Sequence, residues 1–295
     1  SGMICNLCPR QCGAERTPEV GKGWCRLPSV VKVARAELHH WEEPCISGTK
    51  GAGTVFFSGC TLGCVFCQNG PISHENQGKA VTEDELYALF EKLAGEGAHN
   101  IELVTPTQYI HVLQKVLARP IPGNLPVVFN CGGYERVEIL KSLEGKVDVY
   151  LPDLKYVTEE LAAKYSAAPD YPSTAKAAIV EMFRQTGPVQ LEDGLLKKGV
   201  VIRHLILPGR LAEAKRVMDW VSEQFAPGEV LFSLMAQYTP CGNLEQFPEL
   251  QRTIRPSELR AARNYMDALG IQGYVQELEA VGEKFIPDWN MKGNE

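Results

Sequence analysis

The chain has 295 residues, 44% of them hydrophobic, with a formal net charge of −6. That is too hydrophobic for a disordered chain and enough to bury a sizeable core. Basic and acidic residues are interspersed, and without a Lys/Arg-rich tract a nucleic acid is not favoured as a partner.

No positive flank leads into an apolar run at the start, and no apolar stretch reaches the ~18 residues of a membrane span, so a cytoplasmic protein is expected. Ser1-Gly2 ahead of Met3 reads as a tag remnant. In a reducing compartment, ten cysteines grouped in sequence point to metal binding over disulfides.

Residues 1–50 hold Cys5, Cys8, Cys12, Cys25 and Cys45 with little periodicity. They read as a Cys-rich N-terminal extension, held by metal or packed on the remainder. From 51 to 295 short apolar runs alternate with amphipathic stretches. The runs are GTVFF (53–57), IELV (101–104), PVVFN (126–130), VDVYL (147–151), GVVIRHLIL (199–207) and EVLFSLMAQY (229–238). Such runs, bounded by Gly or Pro, suit strands buried on both faces.

Between them, residues 82–96 open with Thr82 and Glu85, a capping-box pattern, and place Leu86, Leu89, Phe90 and Leu93 on one helical face. Leu211, Ala214, Val217, Met218 and Val221 repeat that spacing, as do Leu259, Ala262, Met266 and Leu269. The stretch YSAAPDYPSTAK (165–176) reads as a loop. About six β-α units imply a parallel sheet, too few for a closed eight-stranded barrel, so an open or partial barrel with C-terminal helices is expected.

Directly after the first run, GCTLGCVFCQNG (59–70) sets Cys60, Cys64 and Cys67 at C-x3-C-x2-C. Loops at the carboxyl ends of parallel strands build active sites. Three thiolates from one such loop can hold three irons of a [4Fe–4S] cluster and leave the fourth iron open. Glycines 59, 63 and 70 suit a backbone wrapped around a bulky group. The competing reading is a structural zinc site completed by Cys45 or a histidine such as His74, since zinc usually takes four protein ligands.

The C-x3-C-x-aromatic-C pattern, with Phe66 at the aromatic position, resembles that of the radical S-adenosylmethionine (SAM) enzymes. More narrowly, GTVFFSGCTLGCVFCQN is similar to the branch of pyruvate formate-lyase activating enzymes, over roughly residues 42 to 285. The resemblance implies a partial (βα)6 barrel, with SAM chelating the open iron through its amino and carboxylate groups and Phe66 near the adenine. It also implies reductive cleavage of SAM to a 5′-deoxyadenosyl radical, with an electron donor such as flavodoxin or ferredoxin.

Further residues follow from the same resemblance. LPDLKY (151–156) matches the D-x-K element of activating enzymes through Asp153 and Lys155. A charge in mid-strand is rarely buried alone, and Arg203 in RHLILPG matches an arginine that helps bind SAM; the alternative is a structural salt bridge to Asp153. Where relatives carry Gly-Gly-Glu for the SAM amino group, this chain has Thr105, Pro106 and Thr107. FNCGGY (129–134) closes the third strand, with Asn130 as a candidate SAM contact. Apart from the resemblance, Ser233, Met235 and Gln237 share one face of the sixth strand, which suits a ligand-lined interior and adds Gln237 as a candidate.

Cys5-x2-Cys8-x3-Cys12-x12-Cys25 is a separate four-thiol set suited to zinc or a second iron–sulfur cluster. The partner expected from the resemblance is a glycyl radical enzyme. Radical modification of a small molecule, peptide or RNA competes with it, and so does a non-enzymatic electron-transfer protein, because resemblance does not carry the substrate.

Overall fold

A computed structural model describes residues 2–40, 43–67, 70, 75–276 and 288–289. Two short strands, β1 (Met3–Cys5) and β2 (Ala14–Arg16), form an antiparallel hairpin of their own. Then come β3 (Val31–His39), α1 (Pro44–Ser47), β4 (Ala52–Phe57), β5 (Lys79–Val81) and α2 (Glu83–Gly95). β6 (Ile101–Val104), α3 (Ile110–Val116), β7 (Val127–Cys131), α4 (Val137–Lys141) and β8 (Val149–Pro152) follow. Next are α5 (Glu159–Ser166), α6 (Tyr171–Thr186), β9 (Gln190–Glu192), β10 (Leu195–Leu205) and α7 (Leu211–Gln224). The chain continues with β11 (Leu231–Met235), α8 (Pro256–Ala268), β12 (Gly273–Gln276) and β13 (Asp288–Trp289).

The parallel core of the sheet runs β4-β6-β7-β8-β10-β11-β12. β3 and β5 extend it antiparallel beyond β4, β13 does so beyond β12, and β9 folds back on β10. The sheet is open, as expected of a partial barrel. It also takes in residues 31–39, which lie inside the Cys-rich segment 1–50.

All six apolar runs are strands of this core, and β12 is a seventh that the sequence reading missed. Its GYVQ is short and begins with a glycine of φ 151°, where an added Cβ would fall 1.8 Å from the Phe232 carbonyl oxygen. The close approach of β12 to β11 therefore depends on a residue that weakens any strand signal.

The predicted capping box is present: Thr82 accepts from the Glu85 amide and Glu85 accepts from the Thr82 amide, each at 3.1 Å. Residues 165–176 are a correction. α5 runs to Ser166 and α6 begins at Tyr171, so only four residues separate them. Pro172 lies in the first turn of α6, where its missing N–H would have no partner anyway.

Alternation along the strands divides the core in two. Val55, Phe57, Leu103, Phe129, Val200, Ile202, Phe232 and Leu234 pack with the helices in one large cluster. Ala52, Val128, Val149, Leu151, Val201, Leu231 and Tyr274 form a second cluster on the lumen side, where Cys45 and Ile46 of α1 join them. The lumen thus has an apolar floor. Higher up it turns polar, with Asn130, Asp153, Arg203, Ser233 and Gln276 in alternating positions on β7 to β12 or just beyond their ends.

Candidate active site

Cys60, Cys64 and Cys67 lie on the loop that leaves β4 at the carboxyl mouth. Several neighbours fix that loop. The Gln108 side-chain amide donates to the carbonyls of Ser58 and Gly59 at 3.1 and 3.2 Å, and the Tyr109 hydroxyl donates to Ser58 at 2.8 Å. Gly59 has φ 92°, and an added Cβ would meet Leu27 Cδ1 at 2.3 Å, so both backbone and space demand glycine there. Farther on, the Val65 amide donates to the Tyr165 carbonyl at 2.9 Å, and Arg10 Nε donates to the Thr61 carbonyl at 3.0 Å.

The thiols share a site short of compensating charge. Burial, and then the neighbouring Cys64, push the Cys60 thiol up to about 12. Burial also raises Cys64, against the opposing pull of the Lys155 ammonium. A bound cation reverses that balance, because a coordinating thiol is deprotonated outright. Among the described residues, no three His, Cys, Asp or Glu side chains are placed to hold a single metal ion. A four-iron cluster spreads its irons and does not ask three thiolates to meet at one point, as a single zinc does. Soft donors on one partly buried loop therefore fit the cluster. Of the two fourth ligands considered for zinc, Cys45 sits in the apolar floor at the opposite end of the lumen. His74 lies outside the described residues.

Beside the trio stand four polar side chains from three strands. Arg203 Nε donates to Asp153 Oδ1 at 3.2 Å and its terminal nitrogen to Asn130 Oδ1 at 2.7 Å. Lys155 Nζ donates to the other Asp153 oxygen at 2.9 Å. Burial alone would raise the Asp153 carboxyl, but Lys155 and Arg203 outweigh it and hold the carboxyl below its ordinary value. Lys155, which also acts on Cys60 and Cys64, links this group to the trio. The salt bridge offered as the alternative reading of Arg203 is thus present, at the mouth and next to Asn130.

The remaining expected contacts are distributed unevenly. Phe66 is buried at the trio, edge-on to Tyr165 and Tyr238 at 6.4 and 6.3 Å. Thr105 follows β6 with φ 57°, a strained conformation for a β-branched residue and one found mainly at functional sites. The Thr107 hydroxyl is committed to the buried Glu135 carboxylate, so it is not directed at the polar group on β7, β8 and β10. Gln237 lies past the end of β11, half-buried.

Sequence reasoning missed Glu135, Tyr171 and Ser166. The Tyr171 hydroxyl donates to the Gly132 carbonyl at 2.7 Å and accepts from the Lys155 amide at 2.9 Å, pinning the ends of β7 and β8 together. Burial raises the Glu135 carboxyl to about 8, against hydrogen bonds from Thr107 and Cys131. A carboxyl raised on folding stabilises fully below its unfolded value and loses that contribution as pH climbs toward the folded one. Glu135→Gln is therefore expected to remove a stability loss of roughly 3 kcal/mol between about pH 5 and 8. Urea denaturation of both proteins across that range checks it.

Of the N-terminal thiols, Cys5 and Cys25 lie near Arg16, which is 1% exposed and 3.6 Å from Cys5 Sγ. Arg16 donates to the carbonyls of Leu27, Pro28 and Gln108. Burial lifts Cys8 to about 12, with Glu135, Cys25 and Cys5 adding to it, and raises Cys25, where Cys5 and Cys12 add to the effect. An added Cβ on Gly23 would meet Cys12 Sγ at 2.8 Å.

An open parallel barrel with thiols and paired charges at its carboxyl mouth is the architecture of an α/β enzyme that works on a ligand held at the strand ends. The family model of the radical SAM superfamily matches residues 54–221, and the chain belongs to that superfamily. Membership implies a [4Fe–4S] cluster and SAM. The uncharacterized protein MJ0674 of Methanocaldococcus jannaschii is 28% identical over 269 residues, covering 88% of this chain and 72% of that one.

Among solved structures, a spore photoproduct lyase variant superposes with a TM-score of 0.52 at 14% identity, covering 78% of this chain and 77% of its own. Methylornithine synthase gives 0.50 at 15%, covering 75% and 63%. A maturase of the [FeFe]-hydrogenase gives 0.52 at 15%, covering 75% and 50%. At these identities the likeness concerns the fold. No described helix is long and apolar enough to cross a membrane.

Proposed function

We propose that Cys60, Cys64 and Cys67 hold a [4Fe–4S] cluster and that the chain cleaves SAM there reductively to abstract hydrogen from a substrate. The supporting observation is the trio on one partly buried loop beside Lys155, Asp153, Arg203 and Asn130. Cys60, Cys64 and Cys67 would hold a cluster that, reduced by a donor such as flavodoxin or ferredoxin, would supply the electron for cleaving the sulfonium.

The chain's own residues bind and orient. The Arg203–Asp153–Lys155 group presents fixed charges to the amino and carboxylate ends of SAM, the strained Thr105 turn offers backbone groups, and Phe66 borders the adenine. The apolar floor keeps water from the inner end. A glycine on a partner glycyl radical enzyme is the proposed hydrogen donor, supported by the likeness of residues 53–69 to activating enzymes. A small molecule or peptide is the competing substrate. We extend the proposal to Cys5, Cys8, Cys12 and Cys25 as a second metal site, zinc or iron–sulfur, supported by their proximity to one another; because no three of them converge on a single ion, the iron–sulfur alternative is favoured.

The test is anaerobic reconstitution followed by dithionite and SAM, with 5′-deoxyadenosine and methionine quantified. Wild type should form both products, and a variant with Cys60, Cys64 and Cys67 changed to Ala should form neither while still retaining N-terminal metal. Cluster-loaded wild type that forms no deoxyadenosine and shows no EPR change with SAM would overturn the reading in favour of simple electron transfer.

A further inference from the structure

Ser166 ends α5 fully buried, with its Oγ 2.9 Å from Cys64 Sγ and 2.8 Å from the Tyr156 hydroxyl. Cys64 and Ser166 are 102 residues apart, so tertiary structure alone creates the contact. A serine in the last turn of a helix ordinarily returns its hydroxyl to a carbonyl one turn back; this one is aimed at a thiol. A ligating sulfur is a thiolate and can only accept. That leaves one arrangement of protons: Tyr156 donates to Ser166, and Ser166 donates to Cys64.

The serine is also held from outside. Arg10 donates to the Ser166 carbonyl at 3.3 Å and to the Ala167 carbonyl, while its Nε takes the Thr61 carbonyl between Cys60 and Cys64. One guanidinium thus ties the end of α5 to the trio's loop. Its own place is set by Trp24, whose ring lies 4.0 Å beneath it. Ala167 turns the chain in a left-handed conformation, φ 52°, which ends α5 at the serine.

We propose that Ser166 tunes the reduction potential of the cluster by donating a hydrogen bond to Cys64 Sγ, with Arg10 of the N-terminal segment holding it in position. The inference rests on Cys64 being a cluster ligand. A reduced cluster carries one more negative charge, and a hydrogen bond to a ligating sulfur favours the more negative state. The bond therefore raises the potential. Tyr156 strengthens it by polarising the serine hydroxyl. Ser166 acts through Cys64 and is a positioning residue.

The test is an EPR-monitored redox titration of anaerobically reconstituted full-length protein, with iron and sulfide counted. Ser166→Ala should shift the potential downward, Ser166→Thr should restore it, and Tyr156→Phe and Arg10→Met should shift it less in the same direction. Wild type without a [4Fe–4S] cluster would overturn the ligand assignment and this inference together. Clusters present throughout at one unchanged potential would overturn only this inference. If Ser166→Ala cannot hold a cluster, Tyr156→Phe decides: a lowered potential supports the relay and an unchanged one overturns it.

Discussion

Asp153→Ala is expected to lower stability by about 3 kcal/mol and to abolish SAM binding by the cluster-loaded protein. The carboxylate stands between two cations, Lys155 at 2.9 Å and Arg203 at 3.2 Å, with side-chain exposures of 21% and 15%. Removing it leaves two positive charges facing each other in a site that water reaches only in part. Residual access to water keeps the cost at the low end of the range for a broken buried pair. Changing Lys155 to Met in the same chain should recover part of the loss, because one uncompensated charge disappears with it.

The pH dependence has a definite sign. Asp153 is held below its ordinary value, so its contribution is present above the unfolded value and lost as pH falls through the folded one. Wild type and variant should therefore converge only in acid. Denaturant titrations at neutral and acid pH, with equilibrium dialysis of SAM, would show it. Equal stability at neutral pH would mean that the charges are hydrated and not paired.

Gly133→Ala is the second large effect. Gly133 has φ 85°, and an added Cβ would lie 2.2 Å from the Asp153 carbonyl oxygen. Backbone strain and a backbone clash add, for an expected loss of about 3–5 kcal/mol, with the group around Asp153 displaced. Its neighbour is the control. An added Cβ on Gly132 meets Leu62 Cδ1 at 3.1 Å and Lys155 Cε at 3.6 Å, both ends of flexible side chains, so Gly132→Ala should cost about 1 kcal/mol or less. Thermal unfolding of the two variants side by side separates them, and equal losses would show that β7 and β8 can move apart at the mouth.

What could be read in advance was whatever lies in one stretch of chain. The trio's spacing, the capping box at Thr82 and the alternation that turns Asp153 and Arg203 to one side of the sheet all need only neighbours in sequence. Asn130, Asp153 and Arg203 meet because adjacent parallel strands lie in register, and the order of those strands follows from the β-α alternation. The contacts that set the trio's surroundings have no such local signature. Ser166 approaches Cys64 from beyond four strands, and Arg16 reaches Gln108 across 92 residues. Thr107 could be placed at the mouth, but its hydroxyl is turned by Glu135, which is buried for reasons that only the tertiary packing supplies. β12 was lost because the glycine that allows its close approach also weakens its strand pattern.

Arg10 bonds a carbonyl 157 residues away. During synthesis it cannot close until Ala167 has left the ribosome, roughly 8–30 s after Arg10 itself at ordinary elongation rates. Through that interval Cys5, Cys8 and Cys12 are already outside and Cys60, Cys64 and Cys67 follow them, all without the tertiary contacts that later enclose Cys5 and Cys64. A nascent chain thus displays two sets of open thiols to its surroundings before it has a barrel to put them in. Cluster delivery and oxidative damage compete over the same seconds. Slow translation of residues 70–170 should favour whichever is faster.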